Sequence, residues 1–142
     1  MHSRKSSPLL SIVEYQQIAL RRLPSSLSLL IVLSSTALAV DLPNGQRVFK
    51  VCAPCHAVDA DVNKLGPHLK GVVGRAAGGV AGFRYSKAMS DAGSAGLVWD
   101  DKALAEFLSS PKRKVPNTSM RFWGLWFQSE IDDLIAYLKA NP

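Results

Sequence analysis

The chain has 142 residues, 47% of them hydrophobic and 20% charged, with 17 Lys+Arg against 11 Asp+Glu for a formal net charge of +6. That length and balance describe one folded domain and exclude a disordered or multidomain chain. The two cysteines, Cys52 and Cys55, lie three positions apart, too close to staple distant segments, so a disulfide framework is excluded as the source of stability.

The N-terminal segment carries Arg4, Lys5, Arg21 and Arg22 against Glu14 alone. Residues 27–40 then form an apolar stretch interrupted by Ser28 and by Ser34, Ser35 and Thr36, ending in the small-residue pattern Ala37-Leu38-Ala39. This is the layout of a secretory signal peptide cleaved after Ala39. The alternative, an uncleaved membrane anchor, needs roughly 20 apolar residues and would have to extend across Arg21, Arg22 and Pro24. Taking the four basic residues and one acidic residue of 1–39 away leaves 13 Lys+Arg and 10 Asp+Glu, a net +3 on residues 40–142. Nucleic-acid binding loses its support, because Lys112-Arg113-Lys114 is the one basic block left and no aromatic ladder accompanies it.

Residues 40–142 read as helices at both ends around a glycine-rich middle. A first helix is expected over 44–56, with Pro43 at its start and Val48, Phe49 and Cys52 on one face. Between Gly66 and Gly82 lie six of the ten glycines, which points to turns and loops, with short helical turns at 69–72 and 86–91. A second helix is expected over 101–110, capped by Asp100, striped by Ala103, Leu104, Phe107 and Leu108, and stopped by Pro111. A third is expected over 129–140, where Ile131, Leu134, Ile135 and Leu138 repeat at helical spacing. Three short helices and a long loop bury too little apolar surface for such a domain. The fold therefore calls for an internal filler, and a large flat apolar cofactor would supply it.

Cys52-Ala53-Pro54-Cys55-His56 is the site that attaches one. On a turn of helix the two thiols project to the same side, spaced to form thioethers with the two vinyl groups of a porphyrin, and His56 can present a ring nitrogen to the iron. A thioredoxin-like thiol–disulfide pair shares the cysteine spacing but belongs in a βαβ setting that is missing here. A zinc site would need two more ligands, and beyond His56 the chain offers His68 and scattered carboxylates. Three residues compete for the sixth iron position. Met89 lies in a short helical piece where methionine is ordinarily core filler. His68 lies 12 residues after His56, behind Gly66-Pro67. Met120, 64 residues past His56 in an extended loop begun by Val115-Pro116, has the reach to cross the opposite haem face and is the expected ligand.

These residues resemble the class I c-type cytochromes, the group shared by mitochondrial cytochrome c and the periplasmic cytochromes of bacteria. The likeness runs from Gly45 to Lys139 through residues 45–49, 52–56, 66–67, 74–75, 82–86, Trp99, 111–112, 116–120 and 133–139. The resemblance implies a mostly α, single-domain fold wrapped around one haem c held covalently by Cys52 and Cys55, with His56 and Met120 as axial ligands. It further implies that Gly45 and Phe49 meet Leu134 and Tyr137 where the first and last helices cross. The Pro67 carbonyl would accept the second ring nitrogen of His56, Arg75, Tyr85 and Trp99 would hold the inner haem propionate, and Thr118 would help seat the other.

There are departures too. Phe107 stands where many relatives have a tyrosine that touches the methionine sulfur. Ser119, Trp126 and Phe127 stand where mitochondrial relatives carry lysines, so with Phe122 and Trp123 the segment is either packed on the third helix or a partly exposed contact patch. His68 replaces an amide. The expected function is one-electron transfer in the periplasm by a monomer. Its donor would be a membrane complex such as a quinol–cytochrome c reductase, and its acceptor one such as a terminal oxidase or photosynthetic reaction centre. No substrate is transformed and no nucleic acid is bound. A haem peroxidase or small-ligand sensor, and a thiol–disulfide module, are the alternatives.

Overall fold

The computed structural model describes residues 40–142; the expected signal peptide at 1–39 lies outside the described residues. The first helix, α1 (Leu42–Phe49), begins where Asp41 caps it, its carboxylate accepting the Asn44 N–H at 2.9 Å. Pro43 sits in the first turn, where a missing N–H costs nothing. The helix is shorter than the 44–56 expected. Pro54 cannot donate to the Lys50 carbonyl, and beyond Phe49 the chain tightens into single turns, with Cys52 N–H to Phe49 O at 2.8 Å and His56 N–H to Cys52 O at 3.0 Å.

Residues 57–86 form a loop that contains the glycine-rich stretch 66–82 expected to be one. The expected turn at 69–72 is one bond, Val72 N–H to Leu69 O at 3.0 Å, not a helix. The loop is fastened to the segment preceding the next-but-one helix: Trp99 N–H donates to Arg75 O at 2.9 Å and Ala77 N–H to Leu97 O at 2.8 Å. The helix α2 (Lys87–Ser94) is capped by Ser86. Then α3 (Asp101–Ser109) starts from Asp100, whose side chain accepts the Ala103 N–H at 2.7 Å. Its stripe of Ala103, Leu104, Phe107 and Leu108 is buried as expected. Pro111 ends α3 and also opens the single turn α4 (Pro111–Lys114), where its fixed φ suits the first helical position.

The last helix, α5 (Gln128–Lys139), packs across α1. A side chain at Gly45 would run into the Asp133 carbonyl, so glycine lets the two backbones meet. Phe49 and Tyr137 stack at 5.5 Å between ring centres. Polar groups pin the same crossing: the Asp133 carboxylate accepts the Asp41 N–H and the Asn44 amide, each at 2.7 Å. Those two donors, the amide first, hold the Asp133 carboxyl below its ordinary value. The core joins α1, α3 and α5 through Phe49, Leu104, Phe107, Ile131, Leu134 and Leu138, with Trp99, Val72 and Met89 supplied by the loops and α2. Leu134 is only 1% exposed, and burial of such a side chain contributes about 1.5–3 kcal/mol. Among the described residues no helix is long and apolar enough to cross a membrane.

Candidate cofactor site

Between the turn at 52–56 and the segment at 115–121 lies a cleft with two connected parts. The outer part, about 440 Å³, is bordered by Cys55, His56, Gly66, Pro67, Tyr85, Thr118 and Met120. The inner part, about 80 Å³, is bordered by Cys52, His56, Trp99, Phe107, Met120 and apolar core residues including Phe49 and Leu134. Cys55 thus borders the outer part and Cys52 the inner, with His56 bordering both, and both cysteines are free thiols. Burial first, and the neighbouring Cys55 second, push the Cys52 thiol up to about 11. A disulfide-exchanging nucleophile needs the opposite shift, so the burial of Cys52 suits packing against a cofactor better than thiol–disulfide exchange.

His56 is 9% exposed, and burial lowers its basicity despite the opposing hydrogen bond to Pro67. Its Nδ1 lies 2.6 Å from the Pro67 carbonyl. A carbonyl only accepts, so Nδ1 carries the proton and Nε2 keeps a free lone pair, the form of imidazole that binds iron. The ring is boxed in by backbone. Gly66 passes so close that an added Cβ would lie 2.8 Å from both ring nitrogens, and Gly66 N–H donates to Cys55 O at 2.9 Å. The order of constraint runs from the cysteine turn to the Gly66-Pro67 loop to the tautomer.

Met120 is half-buried and borders both parts of the cleft with His56. Met89, buried on α2, borders the outer part alone. His68 borders neither; its Nδ1 is buried without a hydrogen-bond partner, 3.9 Å from Asp61. The other expected site residues divide. Tyr85 borders the outer part, its hydroxyl accepting the Val80 N–H at 3.3 Å, and burial raises its phenol pKa. Trp99 and Phe107 meet at 4.9 Å in the inner wall. Thr118 borders the outer part and its hydroxyl accepts the Met120 N–H at 3.4 Å. The Arg75 side chain borders neither part. It donates to the His68 carbonyl at 2.8 Å and the Lys70 carbonyl at 3.0 Å, and so braces the loop that presents Pro67.

The sequence did not point to Leu65, Phe83 or Arg121 as wall residues of the outer part; Arg121 directly follows Met120, and that adjacency is its signal. The donor set fits a haem: an imidazole and a thioether on one cleft, two thiols beside the imidazole, apolar depth and a more polar mouth. It does not fit zinc, since among the described residues no three His, Cys, Asp or Glu side chains converge.

Comparison with known proteins gives the same answer. The family described as cytochrome c matches residues 42–142. The chain is similar to a cytochrome c2 of Agrobacterium tumefaciens (strain II Chrys), 46% identical over 99 residues that cover 69% of this chain and 89% of that one. A cytochrome c2 of Blastochloris viridis is 37% identical over 121 residues, 84% of this chain and 93% of its own. Among solved structures, cytochrome cH from Methylobacterium extorquens superposes with a TM-score of 0.64 at 42% identity, covering 70% of this chain and 98% of that one.

Proposed function

The chain belongs to the cytochrome c family and is a haem c electron carrier rather than an enzyme, and from that premise we propose that His56 and Met120 are the two axial ligands. The supporting observation is that these two residues share both parts of one cleft, which neither Met89 nor His68 does. Bound haem supplies an iron that alternates between ferric and ferrous states. Cys52 and Cys55 would hold it to the wall, and the Pro67 carbonyl strengthens His56 as a donor by drawing on its Nδ1 proton. The Met120 thioether would be a soft ligand that favours the reduced state, and bound there it would keep small molecules off the metal. Trp99, Phe107 and Leu134 exclude water from the depth. Tyr85 and Thr118 at the mouth and Trp99 deeper in are assigned to the propionates, and Arg75, whose guanidinium borders neither part of the cleft, supports them from behind by bracing the loop at 68–70.

The carrier works in the periplasm after removal of residues 1–39. It takes electrons from a membrane complex such as a quinol–cytochrome c reductase and passes them to one such as a terminal oxidase or photosynthetic reaction centre. The N-terminal apolar stretch and its Ala37-Leu38-Ala39 ending support export. Adding carbon monoxide to the reduced exported protein, together with the mass of its N-terminus, tests this reading. An unchanged spectrum and a chain starting at Val40 are expected. A carbon monoxide adduct at neutral pH would favour the peroxidase or ligand-sensor alternative instead.

A further inference from the structure

Val40, the residue that a cut after Ala39 would place first, lies against the α1–α5 crossing. It borders a groove of about 520 Å³ together with Asp101 of α3 and Asp132, Asp133 and Lys139 of α5, and the next residue, Asp41, donates its N–H to Asp133 Oδ1 at 2.7 Å. The charges in the groove do not cancel. Lys139 meets Asp101 at 2.6 Å, while Asp132 and Asp133 take part in no ion pair among the described residues. Their side-chain donors are neutral amides, Gln128 at 2.8 Å and Asn44 at 2.7 Å. Arg47 of α1 gives its guanidinium to the Asn44 side chain at 3.0 Å and is the weakest of the influences that depress the Asp133 carboxyl. Asp133 is buried, and a buried carboxylate held by neutral donors alone lacks the counter-ion that would offset its desolvation.

We propose that removal of residues 1–39 supplies this counter-ion: the new Val40 α-ammonium pairs with Asp133, Asp132 beside it, and fastens the first helix to the last only in the processed chain. A signal-peptide hydrolase adds water across the Ala39–Val40 peptide bond, leaving the carboxylate on Ala39 and the amine on Val40, and the amine takes up a proton at neutral pH. In the uncut chain the same nitrogen is a neutral amide. Backbone dimensions keep consecutive amide nitrogens at most about 3.7 Å apart, so the ammonium lies no more than about 6.5 Å from Asp133 Oδ1. Around it stand the carboxylates of Asp41, Asp101, Asp132 and Asp133 against the cations of Arg47 and Lys139, a negative balance. Opposite charge at such range favours the charged amine, whose folded pKa therefore lies above its ordinary value of about 7.7–8.0. The contribution to stability is full below that range and is lost as pH rises through the folded value. The inference rests on the cleavage reading and adds what the cut does to the fold.

The test is a double-mutant cycle on the exported, haem-loaded protein, with unfolding followed by helix circular dichroism. Its four members are the wild type, a chain with Gly-Ser inserted between Ala39 and Val40, Asp133→Asn, and the two changes combined. The insertion carries the ammonium up to about 7 Å farther along the chain. At pH 6 it is expected to lower Tm by about 2–5 °C when Asp133 is present and by less than about 1 °C in Asp133→Asn, and the first difference should fade on raising the pH to 10. An insertion effect that is equal in the two backgrounds, or the same at both pH values, overturns the proposal. NMR of chains dimethylated at the amine with isotope-labelled formaldehyde gives a readout independent of stability: the wild-type amine should titrate at higher pH than that of Asp133→Asn, and coincident titrations also overturn the proposal. The N-terminal mass of the exported wild type separates the two readings. A chain that starts at Val40 and shows no coupling overturns this inference alone, whereas a chain that starts elsewhere overturns the cleavage reading and this inference with it.

Discussion

His56 is held by short-range backbone geometry on every side: its own N–H bonded to Cys52 O, its Nδ1 to Pro67 O, Gly66 against its ring and bonded to Cys55. Met120, across the cleft, has its N–H on the Thr118 hydroxyl at 3.4 Å, and its segment reaches the body of the fold at Leu125, which donates to Leu108 O at 2.8 Å. Beside that anchor sits Gly124, whose φ of +113° suits glycine and whose Cα lies where a side chain would strike the Ser109 carbonyl. One wall is thus built from neighbours in sequence, and the other hangs between two attachment points. The difference implies a hierarchy under stress, with the thioether side opening before the imidazole side.

The largest effect comes from breaking the rigid wall. His56→Ala is expected to abolish the low-spin spectrum and to prevent maturation in most of the protein, read by haem stain on a denaturing gel; a normal low-spin spectrum in that variant would sink the assignment. Next is the anchor of the Met120 wall. Gly124→Ala forces both strain and a backbone clash, expected to cost about 1–3 kcal/mol, and its sulfur ligation should be lost at lower denaturant concentration than in the wild type while the imidazole stays bound. Simultaneous loss of both ligands would contradict the hierarchy.

The α1–α5 crossing supplies the smallest of these effects and a pH dependence. Asp133 has its folded pKa depressed below the ordinary 3.8 by Asn44 and Asp41, so the stability it contributes is present above that value and is lost as pH falls through the lower folded one. Asp133→Asn should therefore lower Tm at pH 7, and the gap to the wild type should close as pH falls through the depressed folded value. A gap that is constant with pH would mean that packing, not charge, is what Asp133 supplies.

Legibility followed the same division between near and far. The turn at 52–56, the capping Asp100 of α3 and the stripe of α5 are local patterns, and each is legible in adjacent residues. The early end of α1 turns on one missing donor at Pro54, visible in the sequence but outweighed there by the helical spacing of Val48, Phe49 and Cys52. The Arg75 guanidinium on the His68 and Lys70 carbonyls depends on how the glycine loop folds back, which no periodicity carries. Packing or exposure of Trp123, Trp126 and Phe127 was equally undecidable from spacing, because it depends on where Gly124 turns the chain against α3.

The central claim, that iron is held between His56 and Met120, is tested most directly by the ferric sulfur-to-iron charge-transfer band at the red end of the spectrum, compared in Met120→Ala and Met89→Leu. Met120→Ala should abolish the band, lower the reduction potential and admit carbon monoxide to the reduced protein, while Met89→Leu, an isosteric change in a buried site, should leave all three as they are. A band that survives Met120→Ala and disappears in Met89→Leu would show that the ligand is on α2.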